Sequence, residues 1–168
     1  MNTQSSFVPN YPFSLALVDS VPVIFFFAST VLLFIRLKSP LFFTGSLITF
    51  LAGCLQVAWK MTVSLSHKNI WWLHAQMKYL MPLGFLLMII AIILMRNSIN
   101  WQSIRTLVFK LPIVIFFILT LICFITMIVL SITLGIKDIA SQWIEETINI
   151  FFQASVFACI LCYYIQTN

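Results

Sequence analysis

The segment from residue 111 to residue 136 limits the fold more than any other part of the chain. Its sequence, LPIVIFFILTLICFITMIVLSITLGI, contains no charged side chain. About 20 consecutive apolar residues in a helix are enough to cross the hydrocarbon core of a bilayer. A backbone in lipid must satisfy its hydrogen bonds internally, which an isolated strand cannot do. We therefore expect this segment to be a transmembrane helix.

Four further segments have the same length and character. The predicted spans cover residues 15–37, 41–66, 75–95, 111–136 and 139–165. The chain is 62% hydrophobic and 8% charged, whereas a soluble domain carries about 25% charged residues. The sequence thus predicts an all-α integral membrane protein, a bundle of five transmembrane helices that forms a single domain over residues 1–168.

The charged residues indicate an orientation and exclude one class of partner. Nine Lys and Arg residues are scattered without forming a block, so we expect no nucleic-acid partner. Basic residues favour the cytoplasmic ends of membrane helices. Lys60 and Lys78 fall inside predicted spans, so they are left out of the count of basic residues on each side of the membrane. The remaining bias predicts an outside N-terminus and a cytoplasmic C-terminus, with these basic residues inside: Arg36, Lys38, Arg96, Arg105 and Lys110.

Aromatic residues mark the predicted membrane borders. Indole rings prefer the interface because they are largely apolar but carry an N–H group that needs water. We expect residues 97–110, which include Trp101, to form an interfacial helix or the lead-in to the fourth span. The outer interface is predicted to hold the other four tryptophans: Trp59, Trp71, Trp72 and Trp143.

Two predicted spans carry polar stripes at helical spacing. The stripe on the second span consists of Ser46, Thr49, Gly53, Gln56, Lys60 and Ser64. The stripe on the fifth span consists of Gln142, Glu146, Asn149 and Gln153, with Glu145 beside it. Small and polar residues on one face of a membrane helix favour contact with other helices. A packing seam is therefore one interpretation of both stripes.

The charged members of these stripes support a more specific hypothesis. Antiparallel spans place Lys60 at the depth of Glu145 and Glu146, and pairing offsets the cost of holding such charges in a membrane. We predict a Lys–Glu pair within an outward-opening polar cavity that binds a ligand. Its predicted lining residues are Gln56, Lys60, Glu145, Glu146, Asn149 and Gln153.

The third span carries a stripe of methionine and small residues. Pro82 is expected to bend this helix, and methionine is flexible enough to line an adaptable pocket. Ordinary packing and ligand lining are both open for the stripe. Its members are Met77, Met81, Gly84, Met88, Ala91 and Met95.

No residue pattern favours a cofactor, a metal site or a catalytic centre. His67 and His74 flank a connection rather than a span core, and zinc needs three or four ligands. Cys159 and Cys162 lie one turn apart inside the fifth span, where cysteine behaves as a small hydrophobe. We predict no cofactor, no metal and no catalytic residue.

Three functions agree with these patterns. The first is a small membrane protein that binds or moves an amphipathic, lipid-like small molecule through the polar cavity. The second is a non-catalytic accessory subunit of a larger membrane complex, or a homo-oligomer. The third is a lipid-modifying enzyme that uses Glu145 or Glu146 as an acid or base. Membrane lipids are expected partners in each case.

Overall fold

The structure, a computed structural model, describes residues 12–97, 102, 106, 109–133 and 139–167. The described residues contain helices and no strands. Among these residues, five helical units are long and apolar enough to cross a membrane, which agrees with a multi-pass helical protein. In chain order the helices are α1 (Phe13–Val18), α2 (Ser20–Leu37), α3 (Pro40–Ser66), α4 (Trp71–Ala75), α5 (Met77–Leu94), α6 (Leu111–Thr133) and α7 (Ile139–Thr167).

The helical units differ from the predicted spans mainly at the third span. Its helix begins at Trp71 rather than at residue 75, so two tryptophans assigned to a connection belong to α4. The predicted end of the fourth span at residue 136 lies outside the described residues. Most of the segment 97–110, expected to be an interfacial helix, also lies outside them.

The first span is interrupted at Asp19, between α1 and α2. Pro22 explains the position of this break. In a continuous helix the residue at position 22 donates its N–H to the carbonyl of Val18, but proline has no N–H and its ring clashes with that carbonyl. The helix therefore ends at Val18 and restarts at Ser20. The carboxylate of Asp19 lies at the break.

The connection between α2 and α3 is short because its residues stop one helix and start the next. Lys38 adopts a left-handed conformation with φ 52°, and its N–H donates to the carbonyl of Phe34 at 2.7 Å. Ser39 then caps α3, since its Oγ accepts a hydrogen bond from the amide of Phe42 at 3.3 Å. Pro40 occupies the first helical position, where a missing N–H has no cost.

The helices pack in a spatial order that differs from their order in the chain. α3 lies between α5 on one side and α1 with α2 on the other, α7 packs against α2, and α6 packs against α7. The spans are therefore arranged as third, second, first, fifth and fourth. Within the described ranges, no extensive backbone contact joins α3 to α7 or α5 to α6.

The backbones of α3 and α5 approach each other closely at two glycines. A Cβ atom added at Gly84 would lie 2.7 Å from the carbonyl oxygen of Gly45 and 3.0 Å from the amide nitrogen of Thr49. The two backbones approach this closely because neither glycine has a side chain. Thr49 is buried and donates its hydroxyl to the Gly45 carbonyl at 3.0 Å, so it leaves no polar group unsatisfied at the contact.

The stripe on the second span is therefore a packing seam along its first half. Ser46, Thr49 and Gly53 are buried, and a Cβ at Gly53 would meet the methyl groups of Val23 at 3.1 and 3.2 Å. Like Thr49, Ser46 donates its hydroxyl to a carbonyl of its own helix. The seam faces α5 at one position and α2 at another.

Candidate functional site

Three charged side chains from three different spans meet near one end of the bundle. Lys60 Nζ lies 2.6 Å from Oε1 of Glu146 and donates a hydrogen bond to it. The same Nζ forms an ion pair with Oδ2 of Asp19 at 2.9 Å. Each of the three side chains is only 12% exposed. We call Asp19, Lys60 and Glu146 the ion cluster.

The ion cluster joins helices that are otherwise separate. Lys60 belongs to α3 and Glu146 to α7, which share no extensive backbone contact in the described residues. The α1 helix contacts both of them, and the break that follows it places Asp19 beside the lysine. The long lysine side chain thus bridges the second and fifth spans at the start of the first.

The ion cluster contains more acid than base. One ammonium group faces two carboxylates, so the fully ionised cluster has a formal charge of −1. Charges buried in a membrane protein usually pair with one another or face a wet cavity, and they often mark a functional site. The second carboxylate is more than is needed to neutralise Lys60.

The ion pair expected between Lys60 and a glutamate of the fifth span is formed with Glu146 rather than Glu145. Glu145 is half-buried and has no hydrogen-bond or ion-pair partner among the described residues. Gln56 contacts a different element, since its Oε1 lies 3.4 Å from Nδ1 of His74 in α4. Of the predicted cavity residues, Lys60 and Glu146 therefore belong to the ion cluster, whereas Gln56 belongs to a separate contact with α4.

Asn149 and Gln153 continue the polar stripe along α7 from Glu146 toward the middle of the helix. Both are half-buried, and neither side chain has a hydrogen-bond partner in the part of the chain that the structure describes. A primary amide can donate two hydrogen bonds and accept two more. Such groups in a membrane span need a polar partner, and these two remain available for one.

Sequence reasoning missed Asp19 as a member of the ion cluster. Asp19 lies near the start of the first predicted span and outside both polar stripes, so no partner was predicted for it. The available signal was the combination of an acidic residue inside an apolar segment with Pro22 three positions later. Proline in that position breaks the helix, and a break can present a carboxylate to a neighbour.

Trp59 does not belong with the tryptophans that were predicted to lie at the outer interface. Its side chain is packed inside the protein, with 4% exposure, whereas Trp71 and Trp72 are 73% and 61% exposed. Its Nε1 donates to Oδ1 of Asn69 at 3.0 Å, and its ring stacks on His74 at 4.5 Å between centroids. Trp59 therefore ties the connection after α3 to α4 instead of anchoring in lipid.

A second feature is a shallow groove on the third span. It has a volume of about 330 Å³ and is almost entirely apolar. Met77 and Met81 from the methionine stripe contribute to it, whereas Gly84 and Ala91 from the same stripe are buried. The stripe is thus split between a helix contact and a groove, which is lined by His74, Met77, Lys78, Met81, Pro82 and Phe85.

The described residues contain no group of three or more His, Cys, Asp or Glu side chains arranged to hold a metal ion. His67 ends α3 in a left-handed conformation with φ 50°, and His74 is engaged with Trp59 and Gln56. Cys159 and Cys162 are half-buried free cysteines.

Known proteins offer no further guide to this site. No protein-family model matches the chain. Comparison with curated proteins and with solved structures also finds no match.

Proposed function

We propose that this protein binds an amphipathic small molecule, whose polar head lies beside the ion cluster and along the amides of α7. The observation that carries this proposal is the ion cluster, in which one lysine is buried with two carboxylates between three spans. Buried charges are costly in a membrane protein and are retained most often for function. The site would open toward the side that we predict to be outside.

The surplus carboxylate and the two amides of α7 support one kind of head group. A carboxylate accepts hydrogen bonds and favours positive charge, and the amides of Asn149 and Gln153 have no partner among the described residues. A head group that donates hydrogen bonds, such as an alkyl amine, suits this arrangement. The apolar tail would lie along the helices, which expose many large hydrophobic side chains.

Ligand-dependent stabilisation tests the proposal, because a molecule that binds only the folded protein raises its Tm. The protein in a mild detergent is mixed with a long-chain amine, the corresponding alcohol or the corresponding fatty acid. We expect the amine to raise Tm most. The double variant Asn149→Leu/Gln153→Leu should fold but lose this response, since it removes the amides and keeps the ion cluster.

A matched control lies on the same helix. Thr147 is exposed and its hydroxyl donates only to the carbonyl of Trp143 at 2.7 Å, so Thr147→Val removes a polar group outside the site. This variant should respond to the amine as the wild type does. Equal responses of all variants, or no response in the wild type, would contradict the proposal.

A subunit role is the second candidate, and the same amides favour it. Half-buried amides without partners in the described residues also suit hydrogen bonds to a helix of another chain. In that case the protein would co-purify with other chains, and Asn149→Leu/Gln153→Leu would release them. The enzyme hypothesis, in which Glu145 or Glu146 acts as acid or base, has weaker support, because Glu146 is paired with Lys60 and Glu145 lies outside the ion cluster.

A further inference from the structure

Lys78 is a charged residue of the third span that has no partner in the described part of the protein. It follows Trp71 by seven residues, which is about 10 Å along a helix axis. Its side chain is exposed, and no carboxylate or hydrogen-bond acceptor among the described residues contacts it. Lys60, in contrast, is neutralised by two carboxylates.

Lys78 is the charged residue at one end of the groove on the third span. Met81, Pro82 and Phe85 continue from the lysine toward the middle of the span and form an apolar surface. Pro82 has no N–H to donate to the carbonyl of Lys78, a cause of bending in helices. The groove therefore has an unneutralised ammonium group near the membrane border and an apolar surface that continues inward from it.

We propose that this groove binds an anionic phospholipid. Its phosphate would lie against the Lys78 ammonium, and one acyl chain would lie along Met81, Pro82 and Phe85. A lysine about 10 Å inside a span extends its flexible stem toward the border, where lipid phosphates lie. An anionic lipid supplies a charge that Lys78 lacks from the protein, whereas a zwitterionic lipid already pairs its own phosphate with a cation.

Lipid binding measured by native mass spectrometry tests this assignment. The full-length protein is titrated with phosphatidylglycerol or phosphatidylcholine, and the variants are Lys78→Ala and Lys78→Arg. We expect Lys78→Ala to weaken phosphatidylglycerol binding about fivefold, as expected for loss of one lysine at an anionic lipid surface, and to leave phosphatidylcholine binding unchanged. Lys78→Arg should retain the preference because it keeps the charge.

Lys68 provides the matched control for general attraction between basic protein and acidic lipid. It is exposed in the connection before α4 and lies outside the groove. Lys68→Ala should bind phosphatidylglycerol like the wild type. If Lys68→Ala weakens binding as much as Lys78→Ala does, or if the wild type does not prefer phosphatidylglycerol, the proposal is wrong.

A second variant tests the groove without changing the charge. Met81→Trp keeps Lys78 but fills part of the groove, so it should also weaken phosphatidylglycerol binding. Unchanged binding in this variant would show that the lipid is not seated in the groove. The side chains of Lys78 and Met81 lie outside the buried core. An unchanged Tm checks that each variant is folded.

Discussion

The ion cluster predicts an unusual order of effects when its members are neutralised one at a time. Lys60→Met removes the cation of the ion cluster and leaves the carboxylates of Asp19 and Glu146 together at a buried site. Asp19→Asn or Glu146→Gln instead leaves one acid with one base. We therefore expect the lysine variant to be far less stable than either acid variant, although each change removes one charge.

The distances give the size of the effect. At an effective dielectric constant of about 20, a contact of 2.6 or 2.9 Å corresponds to a Coulomb attraction of about 6 kcal/mol. Most of this attraction offsets the loss of hydration of the charges. Removing one partner of a buried pair leaves that loss uncompensated and costs about 3–5 kcal/mol. For Asp19→Asn or Glu146→Gln we expect a loss of at most about 1–2 kcal/mol.

Thermal unfolding in detergent, followed by tryptophan fluorescence, measures these differences. For a chain of this length, 1 kcal/mol shifts Tm by about 2–4 °C, so Lys60→Met should lower it by roughly 6–20 °C. Lys60→Glu should be worse, and Glu146→Lys in the same chain should restore much of the loss, since one base and two acids are again present. Equal losses for the lysine and acid variants, or no rescue by the charge exchange, would refute the cluster.

Three further predictions concern packing and orientation. Gly84→Ala should cost about 1–3 kcal/mol in thermal unfolding, because the new Cβ meets backbone atoms of α3, whereas Gly53→Ala meets only methyl groups that can shift. Asn69→Ala should cost about 1–3 kcal/mol by removing the oxygen that accepts a hydrogen bond from the Trp59 N–H, and the fluorescence spectrum of the variant should change. In a cysteine-free background, Lys68→Cys should react with a membrane-impermeant maleimide from outside and Lys38→Cys only after the membrane is opened; the reverse pattern would invert the predicted orientation.

The helical units could be predicted because each depends on a local property, the length and apolar character of a segment. The first and last residues of each unit depend on single side chains, and these boundaries were predicted less completely. The break at Asp19 follows from Pro22, whose effect on the preceding turn is general. The early start of α4 at Trp71 was missed because two exposed tryptophans suit an interface whether or not they are helical.

The contacts between helices were only partly accessible from the sequence. Lys60 and Glu146 could be matched because each is a rare charge at a similar predicted depth. Asp19 could not be assigned to them without knowing that the first span lies between the second and the fifth. The same limit applies to Gly45 and Gly84, since small residues indicate close packing but do not name the partner helix.

The most direct test of the proposed function is native mass spectrometry of the wild-type protein released from a mild detergent. The ion cluster and the amides of α7 predict one chain that carries a discrete amphipathic molecule. That adduct should disappear in Asn149→Leu/Gln153→Leu and persist in Lys78→Ala, which affects only the separate lipid groove. A stable assembly with other chains and without a small-molecule adduct would contradict the binding function and favour a subunit role.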